Sequence, residues 1–214
     1  MRTKLNLLVA LFLISALTLN AQNDKDEHMQ TLFGNGPVAY GGYGGPRVTY
    51  SKFDGRDVWM VGGRGGVIFN HVFSIGGAGY GIVNSPFYSS ITYKDSTFSD
   101  VTLQGGFGGM QLEFFLKPMK VLHISFPVLI GAGDLMLVAD RPYAYDSDLE
   151  DRIICHRSFF VIEPNIEVEL NVIRFMRLSL GVGYRYTPGV DLADIPSNAF
   201  NSVVGSISLK FGSF

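Results

Sequence analysis

The chain has 214 residues, of which 17 % are charged, 47 % are hydrophobic and 13 % are aromatic. The charged fraction is well below the roughly 25 % of an average soluble domain, and a net charge of −2 excludes the basic surface that nucleic acid requires. A single cysteine, Cys155, excludes both an internal disulfide and a CxxC pair for zinc or redox chemistry.

The first 21 residues are typical of a secretory signal peptide. Arg2 and Lys4 precede an apolar run, 5–19, that is shorter than the ~20 residues of a spanning helix. We predict cleavage after Ala21. Residues 22–36 then form a short polar lead, and we assign residues 37–214 to one β-barrel domain.

From Val38 onward the sequence contains alternating or apolar stretches separated by turn residues, which predicts strands rather than helices. Most of these stretches are ~11–17 residues long, which exceeds the ~5–6 residues of ordinary strands and suffices to cross a bilayer at a tilt. The eight predicted strands span 37–50, 57–69, 72–84, 99–115, 121–137, 157–171, 176–187 and 201–211.

The connections between these strands alternate in length. Those after the second, fourth and sixth strands are tight, whereas those after the third, fifth and seventh (85–98, 138–157 and 187–200) are long and polar. Short periplasmic turns and long extracellular loops are typical of outer-membrane barrels. We therefore predict that 138–157 is extracellular and Lys117–Lys120 periplasmic, although the first connection, 51–56, is short on the long-loop side.

The stretch RLSLGVGYRY, residues 177–186, alternates without a break. Side chains of a strand point alternately to opposite faces, so Leu180 and Val182 share one face while Arg177 and Arg185 share the other. A soluble barrel would turn the apolar face inward, and a membrane barrel would turn it toward lipid. Charges lie opposite the apolar face in several strands, and so many charges favour a polar, water-containing lumen over a dry core.

The predicted interior of the barrel is a network of charged side chains. Across the hairpins we expect Glu169 to face Arg177 and Glu113 to face His123. The residues predicted for this lumen network are Arg64, Glu113, His123, Glu163, Glu167, Glu169, Arg177, Arg185 and Lys210. The simplest role of such a network is structural, because the interiors of small eight-stranded barrels are filled by side chains, and a gated ion path is the alternative.

Two further features concern strand geometry and depth. The fourth predicted strand changes phase, which predicts a β-bulge at Gly108–Gly109. Aromatic residues collect in two groups that we interpret as interfacial girdles. One group, by the tight turns and the C-terminus, comprises Phe69, Phe73, Phe114, Phe115, Phe175, Phe211 and Phe214, and the other comprises Tyr50, Trp59, Tyr80, Phe160, Tyr184 and Tyr186.

On these strands and loops the chain resembles the small outer-membrane β-barrels of the OmpA/OmpX type, over about residues 37–214. The resemblance implies an all-β, eight-stranded antiparallel up-and-down transmembrane barrel in the outer membrane of a Gram-negative bacterium. The terminal SISLKFGSF, with Phe211 and Phe214, looks like the strand that barrel-assembly machinery recognises. Lipid and lipopolysaccharide are then the expected surroundings, with assembly machinery as a transient partner, no nucleic acid, and a monomeric state.

No sequence motif indicates catalysis, a cofactor or a metal ion. The glycine clusters lack GxGxxG and a following helix, and the four histidines lack HExxH spacing. We therefore predict a non-enzymatic structural or surface-interaction protein. Two alternatives remain open, namely a small barrel enzyme acting on lipid or peptide, and a soluble lipocalin-like ligand-binding barrel.

Overall fold

The computed structural model describes residues 37–139, 152–190 and 192–214. The predicted signal peptide, the polar lead and residues 140–151 of the loop 138–157 lie outside the described part. The described part contains nine strands, β1 (Tyr40–Phe53), β2 (Arg56–Phe69), β3 (Phe73–Ile82), β4 (Phe87–Tyr93), β5 (Ser96–Leu116), β6 (Leu122–Ala139), β7 (Ile153–Ile173), β8 (Met176–Arg185) and β9 (Ser202–Ser213). No described helix has the length and hydrophobicity needed to cross a membrane.

Eight of these strands form a closed ring. Each strand of the series β1, β2, β3, β5, β6, β7, β8 and β9 pairs antiparallel with the next, and β9 returns to pair with β1. Closure leaves no unpaired sheet edge along the ring. The prediction of an eight-stranded antiparallel up-and-down barrel is thus confirmed.

The two ends of the barrel differ in their connections. One end, here called the turn end, carries the short connections 70–72, 117–121 and 174–175, together with the first residue of β1 and the last of β9. The opposite end, the loop end, carries 54–55, the β3–β5 connection, the end of β6 with the start of β7, and the described residues between β8 and β9. The short connection 54–55 is a two-residue hairpin, since Asp54 and Gly55 both have positive φ (48° and 76°), as a type I′ turn requires.

The predicted loop 85–98 is wrong in one respect, because it contains a strand. Strand β4 pairs with the first third of β5 from Phe87↔Thr102 to Tyr93↔Ser96, around a turn at Lys94–Asp95. Five of the seven residues of the segment, FYSSITY, are aromatic or β-branched, which suits a pleated strand. Its serines and threonines make the segment resemble a polar loop in a linear reading of the sequence.

The predicted bulge at Gly108–Gly109 is also wrong. The pairing of β5 with β6 runs from Val101↔Ala139 to Leu116↔Ile124 without a register shift. Odd-numbered residues of β5 face inward along its whole ring portion, and near the loop end these inward residues are Leu103 and Phe107. The apparent phase change arises because the interior itself turns apolar toward the loop end.

The alternation of RLSLGVGYRY is present in strand β8. Leu180 and Val182 are more than half exposed on the outside of the barrel, whereas Arg177 and Arg185 are at most 3 % exposed and lie inside. Several predicted girdle residues, Trp59 among them, do lie on the outside. The three exceptions are Tyr80, Phe115 and Phe214, whose rings point into or across the barrel interior.

Candidate functional site

All nine residues of the predicted lumen network lie inside the barrel. Each of them is at most 4 % exposed. They come from six different strands, namely β2, β5, β6, β7, β8 and β9, because every second residue of a ring strand must point inward. The barrel therefore gathers charges that are distant in sequence into one enclosed column.

Near the turn end the network centres on the ammonium of Lys210. Its Nζ lies 2.6 Å from Oε1 of Glu113 and also contacts Oε1 of Glu169. The Tyr43 hydroxyl donates to Oε2 of Glu113 at 2.5 Å and accepts a hydrogen bond from Nε2 of Gln111 at 3.1 Å. One lysine from β9 is thus held between carboxylates of β5 and β7, the two strands that flank β6.

Glu169 is the most connected carboxylate of this group. Besides Lys210 it contacts Nε2 of His123 at 3.1 Å and the Ser125 hydroxyl at 2.8 Å, and Arg177 Nη1 lies 3.6 Å away. Glu169 and Arg177 are close together, as predicted, but they are not directly opposite each other in the β7–β8 pairing. Glu169 is paired with Ser179, and Arg177 reaches it diagonally from opposite Asn171.

The predicted pairing of Glu113 with His123 is wrong. Glu113 lies opposite Pro127, and His123 lies opposite Glu169 on the other neighbouring strand. The tight turn between β5 and β6 occupies 117–121, so the hairpin is centred two residues later than a turn on Pro118 would require.

At mid-height, Glu167 and Glu163 hold three arginines. Arg64 makes two parallel contacts with Glu167, at 2.8 and 2.6 Å, which is the strong bidentate geometry. Arg47 Nη1 lies 3.0 Å from Glu167 and its Nη2 3.9 Å from Glu163. Arg185 Nε donates to Glu163 at 2.8 Å. The arginines therefore link two carboxylates four residues apart along β7 into a continuous chain of ion pairs.

Arg47 and Tyr43, both on β1, belong to the interior although they are not among the predicted network residues. Arg47 is 2 % exposed and bonds to Asn165 and Ser206 in addition to the two glutamates. The signal was present, because Arg47, Thr49 and Ser51 alternate with Val48 and Tyr50. The glycines that precede Arg47 hide the phase of the strand.

The interior charges nearly balance. Five cations (Arg47, Arg64, Arg177, Arg185 and Lys210) face four carboxylates (Glu113, Glu163, Glu167 and Glu169), with His123 beside them. A buried charge costs several kcal/mol unless an opposite charge and hydrogen bonds compensate it. Each glutamate accordingly contacts a lysine or an arginine.

Toward the loop end the interior becomes a hydrophobic cluster. The connection 186–201 folds into the barrel mouth and buries Val190, Leu192, Ile195 and Phe200. The ring of Phe200 lies 5.5 Å from those of Phe53 and Phe159. The expectation that this connection is simply a polar loop is therefore wrong, because its apolar residues plug the mouth.

The two parts of the interior meet at Arg185. Its guanidinium lies 4.5 Å from the centroid of the Phe200 ring and 4.6 Å from that of Phe107, while its Nε contacts Glu163. The cationic face of the network is thus covered by aromatic rings, an arrangement that stabilises a desolvated guanidinium. Outside the ring, in strand β4, burial raises the pKa of the Tyr88 phenol to about 12, against the opposing charge of Arg56.

Phe211 and Phe214, predicted as an assembly signal, point in different directions. Phe211 is 41 % exposed on the outer surface. The pairing of β9 with β1 continues to Ser213 without a bulge, so Phe214 falls on the inward side. Its ring stacks on Tyr43 at 6.3 Å and lies 3.9 Å from the Arg177 guanidinium, at the turn end of the network.

The interior carboxylates offer little for catalysis or metal binding. One oxygen each of Glu113, Glu167 and Glu169 lies within 4.8 Å of the others, a spacing that a cation could use. Lys210 and Arg64 already neutralise these oxygens. A carboxylate that must act as a base or a ligand needs access to substrate or ion, and these side chains are at most 1 % exposed.

The outward positions of the ring strands carry apolar side chains, with glycines between them on several strands. On β7 the outward series runs from Phe160 to Leu170, and on β9 it runs from Val203 to Phe211. Ten residue steps at ~3.4 Å and a tilt of ~40° give a band about 25 Å tall. Exposed polar side chains border the band, with Asp134 and Ser158 toward the loop end and Lys117 at the turn end.

No protein-family model and no curated protein matches the sequence. Among solved structures, the chain is similar to Neisserial surface protein A, with 10 % identity, a TM-score of 0.49, and coverage of 83 % of this chain and 99 % of that one. It is also similar to the N-terminal β-barrel domain of Pseudomonas aeruginosa OprF, with 7 % identity, a TM-score of 0.49, and coverage of 79 % of this chain and 96 % of that one. The outer membrane protein OprG of the same organism has 8 % identity, a TM-score of 0.43, and coverage of 81 % of this chain and 94 % of that one. These neighbours are small outer-membrane β-barrels, the class that the sequence resembles.

Proposed function

We propose that the mature chain is an integral barrel of the outer membrane of a Gram-negative bacterium, with the turn end in the periplasm and the loop end outside the cell. The observation that carries this proposal is the apolar band on the outer surface. Its height of about 25 Å equals that of the lipid-facing band of outer-membrane barrels. A soluble barrel of the lipocalin kind needs the opposite arrangement, with a polar outside and an apolar interior.

The interior supports a role without catalysis and without an open channel. Ion-paired side chains fill the lower and middle lumen, and the connection 186–201 fills the mouth. Small eight-stranded barrels are filled by side chains in this way. The barrel then acts as a rigid, membrane-fixed scaffold that displays the loop end, including the β4–β5 hairpin, for structural or surface interactions. We propose that it does so as a monomer inserted by the barrel-assembly machinery.

Spin labels placed on strand β8 test membrane insertion directly. A label at position 180 should be quenched by oxygen, which concentrates in lipid, and a label at 179 much less so, because Ser179 is 1 % exposed inside the barrel. Urea extraction of membranes provides an independent measurement, since an integral barrel stays in the pellet. A protein that is released by urea and a label at 180 that oxygen does not reach would overturn the proposal.

A further inference from the structure

A groove of about 400 Å³ lies on the outer surface at the turn end. We call it the turn-end groove, and its lining residues are Leu116, Lys117, Leu122, His123, Ile124 and Val168. Leu116, Ile124 and Val168 are consecutive partners across β5, β6 and β7. The groove therefore crosses three neighbouring strands at the lower border of the apolar band.

The walls of the groove are apolar and open to the surroundings. Leu116, Ile124 and Val168 are 40–46 % exposed, and Leu122 is 62 % exposed. In a bilayer these four side chains contact acyl chains, because none of them carries a group that could hydrogen-bond to water or headgroups. A chain lying in the groove would bury methylene groups against all three strands.

Positive charge without a partner lies at the mouth of the groove. Lys117 lines it, Lys120 belongs to the same turn, and Arg174 lies on the next turn of the turn end. In the described ranges the side chains of these three residues make no hydrogen bond or ion pair. The described aspartates lie toward the loop end and the described glutamates inside the barrel, so no acidic side chain at the described turn end offsets this charge.

From this combination we propose that the turn-end groove binds one anionic glycerophospholipid of the periplasmic leaflet. Its acyl chain lies along Leu116, Ile124 and Val168, and its phosphate contacts the ammonium groups of Lys117 and Lys120. Lysine stems can follow the apolar wall while their charged heads reach the interface. This proposal rests on the membrane insertion proposed above.

A second groove provides an internal comparison. It has a volume of about 490 Å³ and crosses β6, β7, β8 and β9 near mid-height. Its lining includes Phe126, Ile166 and Val182 and contains no charged side chain. Acyl chains can enter it equally well, but nothing there distinguishes one headgroup from another. Selectivity for an anionic headgroup should therefore depend on the turn-end groove alone.

The test measures lipid retention by native mass spectrometry of the full-length barrel in detergent. Phosphatidylglycerol and phosphatidylcholine with identical acyl chains compete for the protein. The unaltered protein should retain phosphatidylglycerol preferentially. A lysine close to an anionic lipid increases the affinity for that lipid. The variants Lys117→Gln and Lys120→Gln should therefore each lower the preference for phosphatidylglycerol over phosphatidylcholine roughly fivefold.

Matched variants separate the groove from general effects of charge and packing. Ile124→Trp fills the turn-end groove and should reduce retention of phosphatidylglycerol, whereas Val182→Trp fills the second groove and should leave the preference unchanged. Lys94→Gln removes the same charge at the loop end and should also have no effect.

Equal retention of the two lipids by the unaltered protein would overturn the proposal, as would equal losses from Lys94→Gln and Lys117→Gln. Co-flotation of the protein with phosphatidylcholine vesicles is measured in parallel. A barrel that floats but shows no headgroup preference would refute the lipid site alone, whereas a barrel that does not float would refute membrane insertion.

Discussion

At the scale of single residues, the interior depends on charges that have few substitutes. Glu167 holds Arg64 through two contacts and Arg47 through a third. Its side chain is 1 % exposed, so water cannot easily replace it. Glu167 contributes to the stability of the fold mainly because, without it, two guanidinium groups would be left unpaired inside the barrel. The attraction within the ion pairs themselves contributes less.

We expect Glu167→Gln to lower the free energy of unfolding by about 3–5 kcal/mol, the usual cost of breaking a buried ion pair by removing one partner. Urea titration of the barrel in lipid vesicles measures this change. Asp134→Asn is the control, because Asp134 is exposed and bonded only to Ser158 in the described part of the chain, and its loss should cost less than about 1 kcal/mol. A cost for Glu167→Gln as small as that of the control would show that the network contributes little.

A charge placed on the outer surface should lower the free energy of unfolding by an amount that depends on how deep in the bilayer it lies. Strand β8 and the residue that follows it, Tyr186, offer two such depths. Leu180→Lys places a charge near the middle of the band and should cost about 2–4 kcal/mol, whereas Tyr186→Lys near its loop-end border should cost about 0–1 kcal/mol. Both side chains are about half exposed, at 56 % and 48 %. Unfolding in lipid vesicles measures both variants, and equal costs would contradict a bilayer around this face.

At the scale of elements, the connection 186–201 differs from an ordinary loop. Its residues Val190, Leu192, Ile195 and Phe200 complete the hydrophobic cluster at the loop end. Phe200 contacts Phe53 from β1, Phe107 from β5 and Phe159 from β7, so one ring links three sides of the barrel mouth. The mouth therefore closes through packing of side chains and not through the polar network beneath it.

Replacing Phe200 with alanine should loosen this connection. Loss of a buried aromatic ring costs about 3–5 kcal/mol, and the cost should appear first as local opening of 186–201. Amide hydrogen exchange should accelerate in 186–201 and remain slow at the turn end. Phe87→Ala is the control, because Phe87 is 54 % exposed on the β4 hairpin. Unchanged exchange in the Phe200 variant would contradict the role of this ring as a plug.

At the scale of the whole molecule, the asymmetry between short turns and long loops predicts the orientation in the membrane. An epitope tag inserted between Lys94 and Asp95, at the tip of the β4–β5 hairpin, should bind antibody on intact cells. A tag at Met119 in the turn 117–121 should bind only after the outer membrane is permeabilised. Surface binding at Met119 with none at position 94 would reverse the orientation.

The filled interior also predicts electrical behaviour. Barrels reconstituted into planar bilayers should show no steady conductance, because the ion-paired network and the plug occupy the lumen at different heights. The Phe200→Ala variant should remain closed as well, since the network beneath the plug is intact. Stable conductance of the unaltered protein would show that a continuous water path passes these side chains.

Much of this architecture can be derived from the sequence because side-chain direction in a strand is a local property with period two. RLSLGVGYRY in β8 and the glutamates of β7 reveal their own faces without knowledge of any neighbour. The predicted bulge in β5 was wrong because the inward side of this strand changes from polar near the turn end to apolar near the loop end. In the sequence alone, such a change has the same pattern as a bulge. The β4 hairpin was missed because its serines and threonines suit an exposed loop equally well.

The sequence by itself determined the eight-stranded ring, the faces of most strands and nine of the polar residues of the interior, although not Arg47. Only the tertiary structure decided their partners, because a contact such as Arg64 with Glu167 crosses the lumen between strands 103 residues apart. Such contacts depend on the register and closure of the whole ring. The inward positions of Phe214 and of 186–201 were decided in the same way, since Phe214 follows from the unbroken pairing of β9 with β1 and the apolar residues of 186–201 pack into the hydrophobic cluster of the closed mouth.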